Sequence, residues 1–245
     1  MFPHVSGDVP YLTTEQMVEV DRAMIEDYHI ELLQMMENAG RALAHVARHR
    51  FLTGDPREKR VTVLAGSGGN GGGALVCARR LHNYGARVNV YVTRERVALS
   101  PVPAHQLDIL SRMGLDPVMA DTVSADPAPD LIIDGLIGYS LDGAPRGTAG
   151  ALIDWANDQA APILALDAPS GVDTSTGSVF DPAIRATATL TLALPKEGLR
   201  AAGVAAHVGE LYLADISVPP ALYTRPPLEL EVGPLFAQSD IVRLS

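Results

Sequence analysis

The chain has 245 residues, 47% of them apolar, and a formal net charge of −10. That is ample apolar matter for one α/β core, without the run of about eighteen uncharged apolar residues that a membrane span needs. The acidic balance and the lack of a basic cluster exclude nucleic acid as the main partner, so any bound phosphate must be held by local dipoles.

Residues 1–8 lack the basic and apolar regions of a signal peptide, and the single cysteine, Cys77, cannot close an internal disulfide. Both features predict a cytoplasmic protein, with Cys77 a buried structural thiol. Thr13 and Gln16 have capping-box spacing and open a first helix, whose apolar stripe is Met17, Val20, Met24 and the following Tyr28. A second helix is predicted from about Glu31 to Arg50, with Leu32, Leu33, Met36, Ala39, Leu43 and Val46 on one side. Glu37-Asn38-Ala39-Gly40 interrupts that stripe. Asn38 is either solvated or aimed at the glycine loop that follows, which Ala39 and Gly40 would let come close.

Val61 to Ala65 is a short β-branched run that reads as a buried parallel strand. It ends in Gly66-Ser67-Gly68-Gly69-Asn70-Gly71-Gly72-Gly73, and a helical apolar period resumes from Ala74 to Leu81. Strand, glycine turn and helix open a nucleotide-binding βαβ unit. Glycines admit a sharp turn and close approach of a ligand, and the helix N-terminus favours an anion such as a pyrophosphate. Six glycines in eight residues exceed what a turn alone requires. No Lys-Ser or Lys-Thr follows, which excludes a Walker loop. The second strand, Arg87 to Val92, is followed by Thr93 and Arg94 rather than the ribose-binding acid of a dinucleotide dehydrogenase.

Beyond it, helix and strand alternate: a helix at Pro103–Met113, a strand at Pro117–Met119 and a loop at Ala125–Pro129. A strand at Asp130–Asp134, a helix at Ala149–Ala160 and a strand at Ala161–Asp167 come next. The last two strands are Ala186–Leu194 and Leu211–Ile216. The tail from Pro219 reads as an irregular strap. Continuous apolar strands separated by helices predict a mostly parallel sheet covered on both faces, a Rossmann-like three-layer αβα sandwich with an N-terminal helical pair. No linker divides the chain, so residues 1–245 are read as one domain.

Ligands in such sheets bind beyond the carboxyl ends of the strands. One strand there runs into Asp134-Gly135-Leu136-Ile137-Gly138-Tyr139-Ser140-Leu141-Asp142-Gly143-Ala144, another into Asp167-Ala168-Pro169-Ser170-Gly171. A carboxylate at a buried strand end needs a partner. Asp134, Asp167, Asn70 and Ser170 make a set of hard oxygens suited to an alkali or alkaline-earth cation. Taken singly, each acid also fits a loop cap.

These segments together resemble the NAD(P)H-hydrate epimerases, the YjeF N-terminal family. The glycine loop is similar to that family's G-P-G-N-N-G-G-D-G-L-V, DGLIGYSLDGAPRG to its D-A-[IL]-[FL]-G-[TF] segment, and LDAPSGVD to its [IV]-D-[IL]-P-S-G-[VL]-[DN]. The resemblance continues in Met36–Gly40, Thr191–Leu199 and Gly209–Tyr212, and spans about residues 11–222. It implies interconversion of the R and S forms of hydrated NADH and NADPH, in a homodimer, with a dehydratase as functional partner on a separate polypeptide. By resemblance, Gly69, Asn70, Gly71, Gly72 and Gly73, with Gly138, Tyr139, Ser140, Leu141, Asp142, Gly143, Ala144 and Asp167, line the hydrated-dinucleotide site. Asn70, Asp134 and Ser170 would hold a potassium ion. The loop departs from the family pattern at Gly69, Gly73 and Ala74.

Epimerisation needs a proton donor and acceptor around a nitrogen-stabilised carbon. Asp167 is the first candidate and Lys196 the second, although Lys196 also reads as a solvated turn residue. His45, His82 and His207 are scattered and read as surface residues. Because Gly73 replaces the family's loop Asp, a non-catalytic nucleotide-binding or scaffold protein of the same fold stands as the second reading.

Overall fold

The computed structural model of the chain describes residues 2–5, 9–120 and 128–244. The predicted loop at Ala125–Pro129 therefore lies outside the described residues up to residue 127. Eight strands make one sheet: β1 (Arg60–Ala65), β2 (Arg87–Val92), β3 (Val118–Met119), β4 (Leu131–Gly135), β5 (Ile163–Leu166), β6 (Ala188–Leu192), β7 (Glu210–Ala214) and β8 (Ile241–Arg243). Their order is β3-β2-β1-β4-β5-β6-β7-β8. All neighbours are parallel except β7 and β8.

The helices are α1 (Thr14–Glu26), α2 (Leu32–Val46), α3 (Gly69–Asn83), α4 (Pro101–Arg112), α5 (Gly147–Asn157), α6 (Ala205–Val208) and α7 (Pro220–Tyr223). No helix among the described residues is long and apolar enough to cross a membrane. Side chains alternate along each strand. Val61, Val63, Ala65, Leu131, Ile133, Leu164 and Leu166 share the core that α1 to α4 cover. Leu64, Ile132, Ile163 and Ala165 share the opposite one, under α5. Both faces are apolar, which is why these strands read as unbroken runs.

Thr13 caps α1 as its sequence requires. Its hydroxyl accepts from the Gln16 N–H at 3.2 Å, and the Gln16 amide oxygen accepts from the Thr13 N–H at 2.9 Å. α2 crosses α3 at Gly40, where a Cβ would stand 2.4 Å from Val76 Cβ and 2.5 Å from the Gly73 carbonyl oxygen. Only glycine permits that approach. α2 ends at Val46 and widens into a π-helical turn at Ala47–Phe51. On it Met35 is fully buried and Leu33 is exposed, because Leu33 is turned about 100° from Leu32 around the helix axis. Cys77 is free and buried, and burial pushes its thiol far above the usual range.

The tail is more regular than its proline content suggests. Ile241–Arg243 forms β8 against β7, and Arg243 bridges in turn to His4. Arg50, just beyond α2, donates to Glu210 on β7 through Nε and Nη2, both at 2.9 Å. The Tyr212 hydroxyl also donates to Glu210, at 2.7 Å. The Arg50 bonds hold the Glu210 carboxyl at about 2, against an ordinary 4.5. A depressed carboxylate contributes stability above its ordinary pKa and loses it as pH falls through the folded value. Glu210→Gln is therefore expected to cost about 1 kcal/mol at neutral pH for this partly exposed pair. It should also flatten the fall in stability between pH 4.5 and 2. Urea titrations across that range check this, and equal acid slopes in both proteins would refute it.

Candidate active site

β1 and β4 are neighbours, but the chain leaves β1 toward β2 on the far side. The sheet's order of progression reverses here, and a crevice opens beyond the strand ends. A Cβ on Gly66 would lie 1.9 Å from the Leu136 carbonyl oxygen, and one on Gly71 would lie 2.0 Å from the Gly66 carbonyl oxygen. The turn thus closes on itself and on the loop after β4, with no space for a side chain. Gly72 faces Val102, and Gly73 packs toward Leu166, Met36 and Ala39. Gly69 and Asn70, the first two residues of α3, face a cavity of about 170 Å³. Helix N-termini favour anions.

Asp134 is fully buried on β4. Its Oδ1 accepts from the Ser170 hydroxyl at 2.7 Å and the Leu136 N–H at 3.2 Å, and its Oδ2 accepts from the Ser170 N–H at 2.8 Å. Burial pushes the carboxyl up to about 6, and those hydrogen bonds keep it from rising further. The Ser170 hydroxyl also accepts from the Ile137 N–H at 2.9 Å. Asn70 meets the same loop from the other side. Its Cγ lies 3.3 Å from the point a Cβ would occupy on Gly138, and its carbonyl oxygen 3.4 Å from the same point on Gly135. Its Nδ2 is buried without a partner among the described residues.

Asp167 follows β5 with a left-handed backbone, φ +66°, uncommon outside glycine but tolerated by Asp. The Asp167 N–H donates to Leu190 O at 2.7 Å and that of Ala168 to Leu166 O at 2.8 Å. Asp167 Oδ2 accepts from the Tyr139 N–H at 3.0 Å, and Oδ1 pairs with Lys196 Nζ. Lys196 is fully buried, not solvated. Its ammonium also donates to Leu192 O at 2.9 Å and Thr191 Oγ1 at 3.3 Å, so with Asp167 its three donors are all engaged.

Met17, Leu32, Met36, Leu192 and Ile216 give the cavity apolar walls, and Asp21, Asn70, Ser140 and Asp167 give it polar points. Gly138 and Tyr139 also line it, whereas Leu141, Asp142, Gly143 and Ala144, which follow in the same loop, are not among its lining residues. Asn38, half-buried on α2, is not among the lining residues. Sequence reasoning missed Asp21 on α1, whose Oδ2 accepts from the Tyr139 hydroxyl at 2.5 Å. Burial raises the Asp21 carboxyl, against the pull of that bond, and burial also raises the Tyr139 hydroxyl well above its usual range. The signal was present: Asp21 lies four residues after Met17, on the buried stripe of α1. His45 is exposed, and His207 Nδ1 pairs with Ile184 O.

A family model described as "YjeF-related protein N-terminus" matches residues 32–198. The chain is 43% identical over 96% of its length to the NAD(P)H-hydrate epimerase of Dehalogenimonas lykanthroporepellens, covering 92% of that protein. It is 36% identical over 88% of its length to the bifunctional NAD(P)H-hydrate repair enzyme of Salinibacter ruber, of which it spans 42%. The crystal structure of a yeast protein aligns with a TM-score of 0.77 and 22% identity, covering 96% of this chain and all of that one.

Proposed function

Because the chain belongs to the family of YjeF-related N-terminal domains, we propose that it interconverts the R and S forms of hydrated NADH and NADPH. The observation that carries the reading is Asp167. Its carboxylate lines the cavity at the end of β5 and is backed by the buried Lys196 ammonium. In a hydrated nicotinamide ring, the carbon bearing the added hydroxyl neighbours the ring nitrogen. The nitrogen lone pair supports loss and return of that hydroxyl, and Asp167 moves the proton. The cavity matches the ~150 Å³ that takes a benzene ring, so it suits the ring alone. The pyrophosphate would lie at the α3 N-terminus, and the rest of the dinucleotide along Gly138–Ala144. The test is R-to-S exchange of hydrated NADPH, followed by NMR or by coupling to a dehydratase. Exchange at the uncatalysed rate would refute the reading. The scaffold alternative rested on Gly73, which packs toward Leu166 and leaves both cavity acids in place.

Asn70, Asp134 and Ser170 would hold a potassium ion, whose positive charge would support the anionic end of the site. The fit is chemical. Asp134 is buried with hydrogen bonds from Ser170 and Leu136 and, among the described residues, no basic side chain as a partner. Turning the Asn70 amide over would place an oxygen where its unpartnered Nδ2 now sits. Potassium in place of choline is expected to raise the unfolding midpoint by a few degrees, and Asp134→Asn to abolish the difference. Equal midpoints for the parent in both salts would remove the ion from the account. Exposed Val18 and Ile25, seven residues apart on α1, with Leu33 on α2, offer an apolar surface for the homodimer.

A further inference from the structure

Tyr139 holds two carboxylates, one at each end. Its backbone N–H donates to Asp167 Oδ2 at 3.0 Å, and its phenolic hydroxyl donates to Asp21 Oδ2 at 2.5 Å. Asp167 comes from the end of β5 and Asp21 from the middle of α1, and both line the same cavity. The backbone end of Tyr139 holds one and its phenolic end the other, with the apolar walls of Met17, Met36 and Leu192 completing the space. An epimerase needs this arrangement more than most enzymes do. The hydroxyl must leave from one face of the ring and arrive on the other, so a single proton-handling group serves one face well and the other poorly. Paired carboxyl groups on opposite sides of a sugar ring divide the work of inverting glycosidases in the same way.

We propose that Asp21, hydrogen-bonded to the Tyr139 hydroxyl, is the second acid/base of the site and serves the ring face opposite Asp167. This rests on the epimerase reading. In one direction, Asp21 delivers its proton to the ring hydroxyl. The C–O bond breaks with its electron pair going to oxygen, and water leaves as the ring nitrogen lone pair forms a C=N⁺ bond. A water then adds to the opposite face, its lone pair forming the new C–O bond as the C=N⁺ pair returns to nitrogen. Its proton passes to Asp167. The reverse direction exchanges the roles, and proton exchange with solvent resets both acids. Water lost equals water gained, and no oxidant or reductant takes part. Burial raises the Asp21 carboxyl, which favours the protonated form the first step requires. The Tyr139 hydroxyl, donating to Oδ2, fixes the direction of the carboxyl.

The experiment compares the parent chain with Asp21→Asn and Tyr139→Phe by R-to-S exchange of hydrated NADPH, separating kcat from KM, with unfolding midpoints alongside. Asp21→Asn is expected to lower kcat roughly hundredfold with KM little changed. Tyr139→Phe, which keeps the backbone N–H on Asp167, is expected to lower kcat by roughly a tenth of that effect. A folded Asp21→Asn protein with the parent's kcat overturns the proposal while leaving the epimerase reading intact. No catalysed exchange by the parent would instead overturn the epimerase reading. If Asp21→Asn does not fold, Tyr139→Phe decides: parent-like kcat refutes the pair, and a kcat loss at unchanged KM supports it.

Discussion

Asp167→Asn is expected to slow R-to-S exchange of hydrated NADPH by about 10²–10⁴-fold, the usual cost of losing a positioned acid/base. The substitution preserves size but cannot accept a proton. It also disturbs the ground state in a specific way. Asp167 accepts from two donors, Lys196 Nζ and the Tyr139 N–H, whereas a carboxamide has one oxygen. Either the ammonium or the loop N–H must then face the amide NH₂. Some stability will be lost with the activity, so rates belong well below the variant's unfolding midpoint. Under those conditions kcat should carry the loss. A folded Asp167→Asn enzyme within about threefold of the parent, small beside the hundredfold floor, would remove Asp167 from the chemistry.

The largest effect on stability is expected from Lys196→Met. The side chain is fully buried and Asp167 is 4% exposed, so methionine fills most of the volume but strands a carboxylate in the core. It also strips the Leu192 carbonyl and the Thr191 hydroxyl of a donor. Breaking one side of a buried pair costs about 3–5 kcal/mol, which for a domain of this size lowers the unfolding midpoint by about 10 °C or more. Scanning calorimetry reads this directly. The double variant Lys196→Met/Asp167→Asn should regain part of the loss, because it removes the uncompensated charge. A single variant melting within about 2 °C of the parent would mean that the pair contributes under 1 kcal/mol.

How much of this could be read from residues alone depended on whether the cause was local. The capping box at Thr13, the apolar runs of β1, β4 and β5 and the glycine turn are set by neighbours a few positions away, and each stands where its pattern puts it. The acids at the ends of β4 and β5 were legible because a charge that closes an apolar run must be explained. β8 was not, since three residues are too few to display a period and their order comes from the exposed edge of β7. Lys196 gave no local sign of burial. Its partner lies 29 residues earlier, and a lysine followed by glutamate and glycine reads as a turn. Asp21 was hidden by the opposite fault: an acid inside an amphipathic stripe was passed over because the apolar residues around it already accounted for the helix.

The pairing of β8 with β7 has a consequence for synthesis. Strand β7 is complete at Ala214, but its open side is capped only when Ile241–Arg243 arrives, and His4 then joins Arg243 from the far start of the chain. During the intervening residues a ready template for stray strands stands unguarded. The last contacts to form tie together the most distant parts of the polypeptide, so assembly should finish slowly and be vulnerable to clumping at its end.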